Sequence, residues 1–236
     1  EEAVLKNIDF SCHKGQKIAV IGSTGSGKST LVKLMNRFYD VSRGMIEING
    51  VDIRKYDLES LRAQIGYVAQ KAHMFKGSIR SNICFGKPDA SDEEMVHAAT
   101  VAQASDFISK REHGYLDEIA EDGTNISGGQ KQRLSIARVI LKKPSLYIYD
   151  DSFSALDFKT DATLRKALKP EVKDAIFFVV AQRISTIMDS DMIIVLDEGQ
   201  IIGMGTHTQL LKDCRVYQEI AHSQLTQKEL DDYERN

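Results

Sequence analysis

The residues with the clearest chemical potential are Gly22-Ser23-Thr24-Gly25-Ser26-Gly27-Lys28-Ser29, followed by Thr30. They fit the spacing G-x-x-x-x-G-K-S/T. Glycines let backbone N–H groups turn inward without a Cβ clash. Those amides, with a helix N-terminus, hold phosphate oxygens. Lys28 would reach the β- and γ-phosphates, and the Ser29 hydroxyl would ligate Mg²⁺. A second group is Asp150, which closes the apolar run Leu146-Tyr147-Ile148-Tyr149. Such an Asp can hold Mg²⁺ through water or cap a helix; the phosphate loop upstream favours the metal. A third is Ser127-Gly128-Gly129-Gln130 ahead of a helical run over 131–141. This small polar helix start either receives an anion or is an ordinary cap.

Chemistry of this kind needs a strand before the loop and a helix after it. Residues 17–21 read as a short buried strand, and residues 28 to about 38 as a helix. The runs 64–69, 146–149, 176–180 and 192–196 are nearly continuous in apolar, β-rich residues, as buried parallel strands should be. Residues 45–49 alternate and predict a further strand. Residues 200–202 predict an antiparallel partner across the Glu198-Gly199 turn. The pattern is that of an α/β core. Between 91 and 108 the composition is helical, opened by Ser91 and Glu94 as a capping box. Few strand signals fall between Val68 and Leu146, which predicts a helical insertion over roughly 72–141. Helices follow Gly205, and a charged tail runs over 224–236.

The chain has 236 residues, with hydrophobic residues at 42% and charged residues at 28%. That mix excludes a disordered, collagenous or coiled-coil chain. Lys plus Arg is 31 against 34 for Asp plus Glu, a net charge of −3, so no basic surplus points to nucleic acid. The longest apolar run, 175–181, has seven residues, whereas a membrane-spanning helix needs about 20. No basic-then-apolar signal peptide opens the sequence. Cys12, Cys84 and Cys214 are far apart and lack metal-ligand spacing, which reads as reduced, core-filling thiols in a cytosolic setting.

Ile126-Ser127-Gly128-Gly129-Gln130 resembles the signature motif of ATP-binding cassette (ABC) transporters, usually LSGGQ. Ser154-Ala155-Leu156-Asp157 matches that family's D-loop, Gln70 its Q-loop, and Glu121-Asp122-Gly123 the acidic X-loop of exporters. Gly205-Thr206-His207 and Leu210-Leu211 are similar to the exporter C-terminal pattern. The resemblance covers nearly the whole chain. It implies a RecA-like P-loop NTPase core with an antiparallel β subdomain (1–71 and 142–223) and an inserted α-helical subdomain (72–141). It implies ATP and Mg²⁺ as ligands, with Ser29, Gln70 and Asp150 at the metal. It further implies two cassettes stacked head to tail, each nucleotide lying between one phosphate loop and the opposite signature. The transmembrane domains of the exporter would be the other partner, placing the chain at the cytoplasmic face of the cell membrane. The segment after Gln70, with His73, Met74 and Phe75, is where motion would pass to them; burial of Met74 and Phe75 is the competing expectation.

Two departures from the family pattern matter most. The residue after the metal-holding Asp is Glu in the family, where it polarises the attacking water; here it is Asp151. Its carboxylate retreats by about 1.5 Å, and a misplacement of about 1 Å can cost about 10²-fold in rate. The switch-loop His is replaced by Gln182, which can donate a hydrogen bond but cannot take up a proton's charge. The signature keeps Ser-Gly-Gly-Gln. With these departures the resemblance implies that Asp151, Gln182 and Gln70 would be the catalytic set of a degenerate, weakly hydrolysing site in a heterodimeric multidrug-type exporter. Ser127–Gln130 would complete the partner's competent site. A homodimeric exporter ATPase and a non-hydrolytic ATP-binding regulatory module are the alternatives. The family's adenine-stacking aromatic has no counterpart before Phe10, which reads as part of the first strand, so that residue is expected ahead of Glu1.

Overall fold

The computed structural model describes residues 3–226. The chain divides into two compact units, one holding residues up to Arg62 and from Ile176 onward, the other Ala63–Ala175. In chain order the elements begin β1 (Lys17–Gly22), α1 (Lys28–Met35), β2 (Glu47–Ile48), β3 (Val51–Asp52), α2 (Leu58–Gln64) and β4 (Ile65–Val68). Next come β5 (Gly77–Ser78), α3 (Ile79–Ile83), α4 (Asp92–Val101), α5 (Ser105–Ile108), β6 (Glu118–Ile119), α6 (Gly128–Lys142) and β7 (Leu146–Asp150). The remainder is α7 (Phe158–Val172), β8 (Ile176–Val180), α8 (Ile184–Ile187), β9 (Met192–Asp197), β10 (Gln200–Gly205), α9 (His207–Asp213) and α10 (Arg215–Gln224). No helix among the described residues is long and apolar enough to cross a membrane.

In the first unit β1 runs parallel to both β8 and β9, with Val20 opposite Val180 and Ile194. Its interior residues Ile18, Ala19, Val20 and Ile21 are buried, as a strand covered on both faces requires. The antiparallel β10 adds to β9 across Glu198 and Gly199, both at positive φ (43° and 76°), as a two-residue hairpin turn demands. Asn49 and Gly50 (φ 53° and 74°) make the same turn between β2 and β3. The strand expected over 45–49 therefore shrinks to Glu47–Ile48. The helix expected to reach residue 38 stops at Met35. Arg37 takes positive φ (50°), its N–H bonds to the Leu34 carbonyl, and the Phe38 N–H bonds to that of Lys33, both of the reversed bonds that close a helix. Phe10 lies ahead of β1 rather than in it, its ring stacked on Phe178 with centroids 6.2 Å apart.

In the second unit β4 and β7 pair in parallel from Ile65↔Leu146 to Val68↔Tyr149. Helix α6 buries Leu134, Ile136, Ala137, Ile140 and Leu141 along one stripe. Ser91 and Glu94 close the expected capping box on α4. The helical stretch 91–108 is two helices, because Gln103 adopts positive φ (58°). The two-residue pair β5–β6 escaped sequence reading, being too short to show alternation. The three cysteines are free thiols, with Cys84 and Cys214 buried. Gln224, placed at the start of the charged tail by sequence, closes α10; residues 227–236 of that tail lie outside the described residues.

Candidate functional site

The phosphate loop leaves β1 at Gly22 and returns to helix at Lys28. Gly22 abuts β9: a Cβ there would stand 2.0 Å from the Leu196 carbonyl oxygen. Gly25 and Gly27 hold φ of 86° and 104°, where an L side chain is strained. Gly27 is the N-cap of α1 and brings no side chain to its amides. The Lys28 ammonium donates to the carbonyls of Gly22 (2.8 Å) and Ser23 (2.6 Å) and to the Ser26 hydroxyl (3.2 Å), so it lies back along the loop. Ser23 donates to Asp197 at 3.3 Å. Ser26 is buried; Thr24, Gly25 and Ser29 are exposed, and Thr30 is half-buried in the first turn of α1. The loop is also braced from behind. The Gly199 N–H donates to the Ser26 carbonyl at 3.1 Å, and the Gly199 carbonyl accepts from the Lys6 N–H at 2.8 Å.

Gln182 stands at the same edge of the first unit. Parallel pairing of β1 with β8 brings both strands out at the same end, and the Ala181 N–H donates to the Val20 carbonyl at 3.1 Å. The next residue, Gln182, is exposed there.

The second unit assembles a carboxylate pair. Gln70 and Asp151 each lie two residues beyond the paired Val68 and Tyr149, so both leave the β4–β7 ladder at one end. The Gln70 amide donates to Asp151 Oδ2 at 3.1 Å, and the Tyr67 hydroxyl donates to Asp150 Oδ2 at 3.2 Å. Both aspartates are 8% exposed. Burial, then the charge and hydrogen bond of Asp150, push the Tyr67 phenol up to about 12, so it remains a donor at neutral pH. Asp151 holds positive φ (47°), and its carbonyl accepts from the Ser154 hydroxyl at 2.7 Å. Asp157 caps α7, accepting from Thr160 N–H and hydroxyl, which hold its carboxyl below the usual range.

Ser127 caps α6. Its hydroxyl accepts from the Gln130 N–H at 3.2 Å while the Gln130 side chain accepts from the Ser127 N–H at 3.0 Å. Gln130 thus serves its own helix. Ser127 and Gly128 are exposed, and a Cβ on Gly128 would meet nothing within 4 Å. Gly129 faces the D-loop stretch: its Cβ would stand 3.3 Å from the Ala155 carbonyl. Sequence reading missed Gln132, fully buried in α6, whose amide donates to the Ala69 carbonyl at 3.1 Å and so braces the residue before Gln70. It also missed Tyr67. Of the expected docking residues, Met74 is buried. Phe75 is 46% exposed and stacks on the 58% exposed Phe85 at 4.3 Å. Arg138 lies against both rings, donates to the Asn82 carbonyl, and is pushed down to about 10 by burial.

A glycine loop between a buried parallel strand and a helix, in an α/β fold, defines a P-loop nucleotide-binding domain. A family profile described as ABC transporter matches residues 5–154, and the chain belongs to that family as an ATP-binding domain. It is 46% identical over 211 residues to the multidrug export ATP-binding/permease protein YgaD of Bacillus subtilis (strain 168), covering 89% of this chain and 36% of that protein. It is 43% identical over 225 residues to heavy metal tolerance factor 1 of Caenorhabditis elegans, covering 95% of this chain and 28% of the other. Among solved structures, a bacterial Atm1-family ABC exporter with ATP bound superposes with a TM-score of 0.91 at 38% identity, covering 93% of this chain and 39% of that one. The chain thus spans between 28% and 39% of these relatives' length.

Proposed function

We propose that this chain is the ATP-binding cassette of a heterodimeric exporter of the multidrug type and carries the weakly hydrolysing site. The observation that carries this reading is the tether of Asp151: a short carboxylate, where the family resemblance expects Glu, is drawn to Gln70 at 3.1 Å. A carboxylate one methylene short is set back from a water that a Glu would reach. Gln182 supplies a hydrogen-bond donor and no titratable charge. ATP is held by the loop amides of Ser23, Thr24, Gly25, Ser26 and Gly27, by Lys28, and by Ser29 and Thr30 at the helix start. The positive-φ glycines and the cap-free start of α1 fit a phosphate chain.

Ser29, Gln70 and Asp150 offer one hydroxyl, one amide and one carboxylate oxygen. Such a hard donor set suits Mg²⁺, which keeps several waters and takes the rest of its ligands from phosphates. The ion supplies charge neutralisation of the phosphates. Tyr67 orients Asp150, Gln70 orients Asp151, and Lys28 draws charge from the transferred phosphate. Ser127–Gln130 are offered to the partner cassette, exposed at a rigid, self-capped helix start. Residues 72–141 form the helical subdomain, with 1–71 and 142–223 as core and β subdomain. The exposed Phe75–Phe85 pair is an apolar face for the exporter's transmembrane domains at the cytoplasmic side of the membrane. Several relatives carry both ATP-binding and permease parts in their names, which supports that partnership.

Phosphate release by the assembled transporter tests this reading. Turnover depends on a second, different cassette and falls at least about tenfold with Ser127→Arg, which fills the space above Gly128. Sustained turnover in an assembly whose only cassette is this chain would falsify it.

A further inference from the structure

The segment that presents Gln182 is secured from the far end of the chain. Helix α8 has four residues, and Arg183 at its N-cap gives its amides no side-chain bond. Its first N–H, on Ile184, donates instead to Gln224 Oε1 at 2.8 Å, 40 residues away in sequence. The same amide's Nε2 donates to the Gln182 carbonyl at 2.8 Å. One planar group thus accepts from one peptide and donates to another across the bend between β8 and α8. Two bonds from one plane fix both position and tilt, where a single bond would leave rotation free.

The opposite end of α8 is held separately. Lys17, opening β1, donates to the Thr186 carbonyl at 2.8 Å and pairs with Asp189. Gln224 is itself well founded: Tyr217 and Ala221 of α10 are fully buried, and the Tyr217 hydroxyl meets His207 Nδ1 at 2.7 Å. Gln224 is exposed, so the core does not need it.

We propose that Gln224 is a positioning residue for the γ-phosphate sensor, setting the peptide from which Gln182 reaches the nucleotide. This rests on the reading of Gln182 given above. It makes the end of α10 a point at which events beyond residue 224 can change nucleotide discrimination without touching the phosphate loop.

The test uses Gln224→Glu and Gln224→Ala in the assembled transporter, with Gln182→Ala beside them. Ala removes both bonds; Glu sets a carboxylate oxygen against the Gln182 carbonyl, and that repulsion drives the side chain off the bend so that the bond from Ile184 is lost as well. Amide hydrogen exchange over residues 182–187 and equilibrium affinities for ATP and ADP are measured. Both Gln224 variants speed exchange at Ile184 while leaving the exchange of Tyr217 and Ala221 unchanged. The preference for ATP over ADP falls about tenfold, the worth of two lost hydrogen bonds, with ADP affinity unchanged, and Gln182→Ala gives the same fall. Unchanged exchange at Ile184 overturns the proposal, as does faster exchange with an intact ATP preference when Gln182→Ala lowers it. If Gln182→Ala leaves that preference intact, the sensor reading is what fails, and exchange alone still reports the hold of Gln224 on the bend.

Discussion

Asp151 is constrained twice over, by its side chain and by its backbone. Its φ of 47° is a conformation that Asp and Asn tolerate better than other L residues. Its carboxylate is tied to Gln70 and its carbonyl to Ser154. The double substitution Asp151→Glu with Gln182→His restores the missing methylene and a titratable ring. If the proposed assembly with a different, competent cassette holds, then with that cassette's site disabled the double substitution raises ATP turnover at this chain's loop by up to about 10²-fold. Steady-state phosphate release from the assembled transporter checks this, and an unchanged rate would show that reach does not limit the site. The chemical types at these positions were legible in sequence. The contacts that aim them were not: Tyr67 meets Asp150 from 83 residues away and Gln132 meets Ala69 from 63, distances over which local patterning carries no signal.

At the scale of elements, legibility followed the strength of local chemistry. The capping box at Ser91 places the start of α4 to the residue, because it is closed by side chains three apart, whereas α6 begins at Gly128, ahead of the expected 131, on a second box between Ser127 and Gln130. Helix ends were poorer. Arg37 and Gln103 both turn left-handed without being glycine, so nothing in residue type announces the stop. Strands β5 and β6 have two residues each, below the length at which alternation means anything. The turn at Glu198-Gly199 offers a direct check. Glu198 is exposed and strained at φ 43°, and Asn is preferred at that turn position. Glu198→Asn stabilises the protein by about 1 kcal/mol, read as a higher urea midpoint at unchanged slope.

For the molecule as a whole, buried phenols set an alkaline limit. Tyr67 and Tyr147 are pushed up to about 12, chiefly by burial, and burial also raises Tyr149 well above the usual phenol range. A raised value means that the folded state holds its phenol proton more tightly than the unfolded chain, whose tyrosines titrate near 10. The associated stability is complete below pH 10 and is lost as pH rises toward 12. Urea midpoints measured across that window fall steadily, and phenolate absorbance shows a late-titrating group of tyrosines. A midpoint flat over the window would contradict the burial of these side chains.

Gly199 carries a mechanical consequence. One of its peptide groups is bonded to the incoming chain at Lys6 and the other to the phosphate loop at Ser26. Leu5 packs on Gly27 as well, so tension applied ahead of residue 5, by an optical-trap handle or by a moving neighbour, reaches the phosphate loop by two routes, through Gly199 and through Leu5, and the leading segment works as a drawstring.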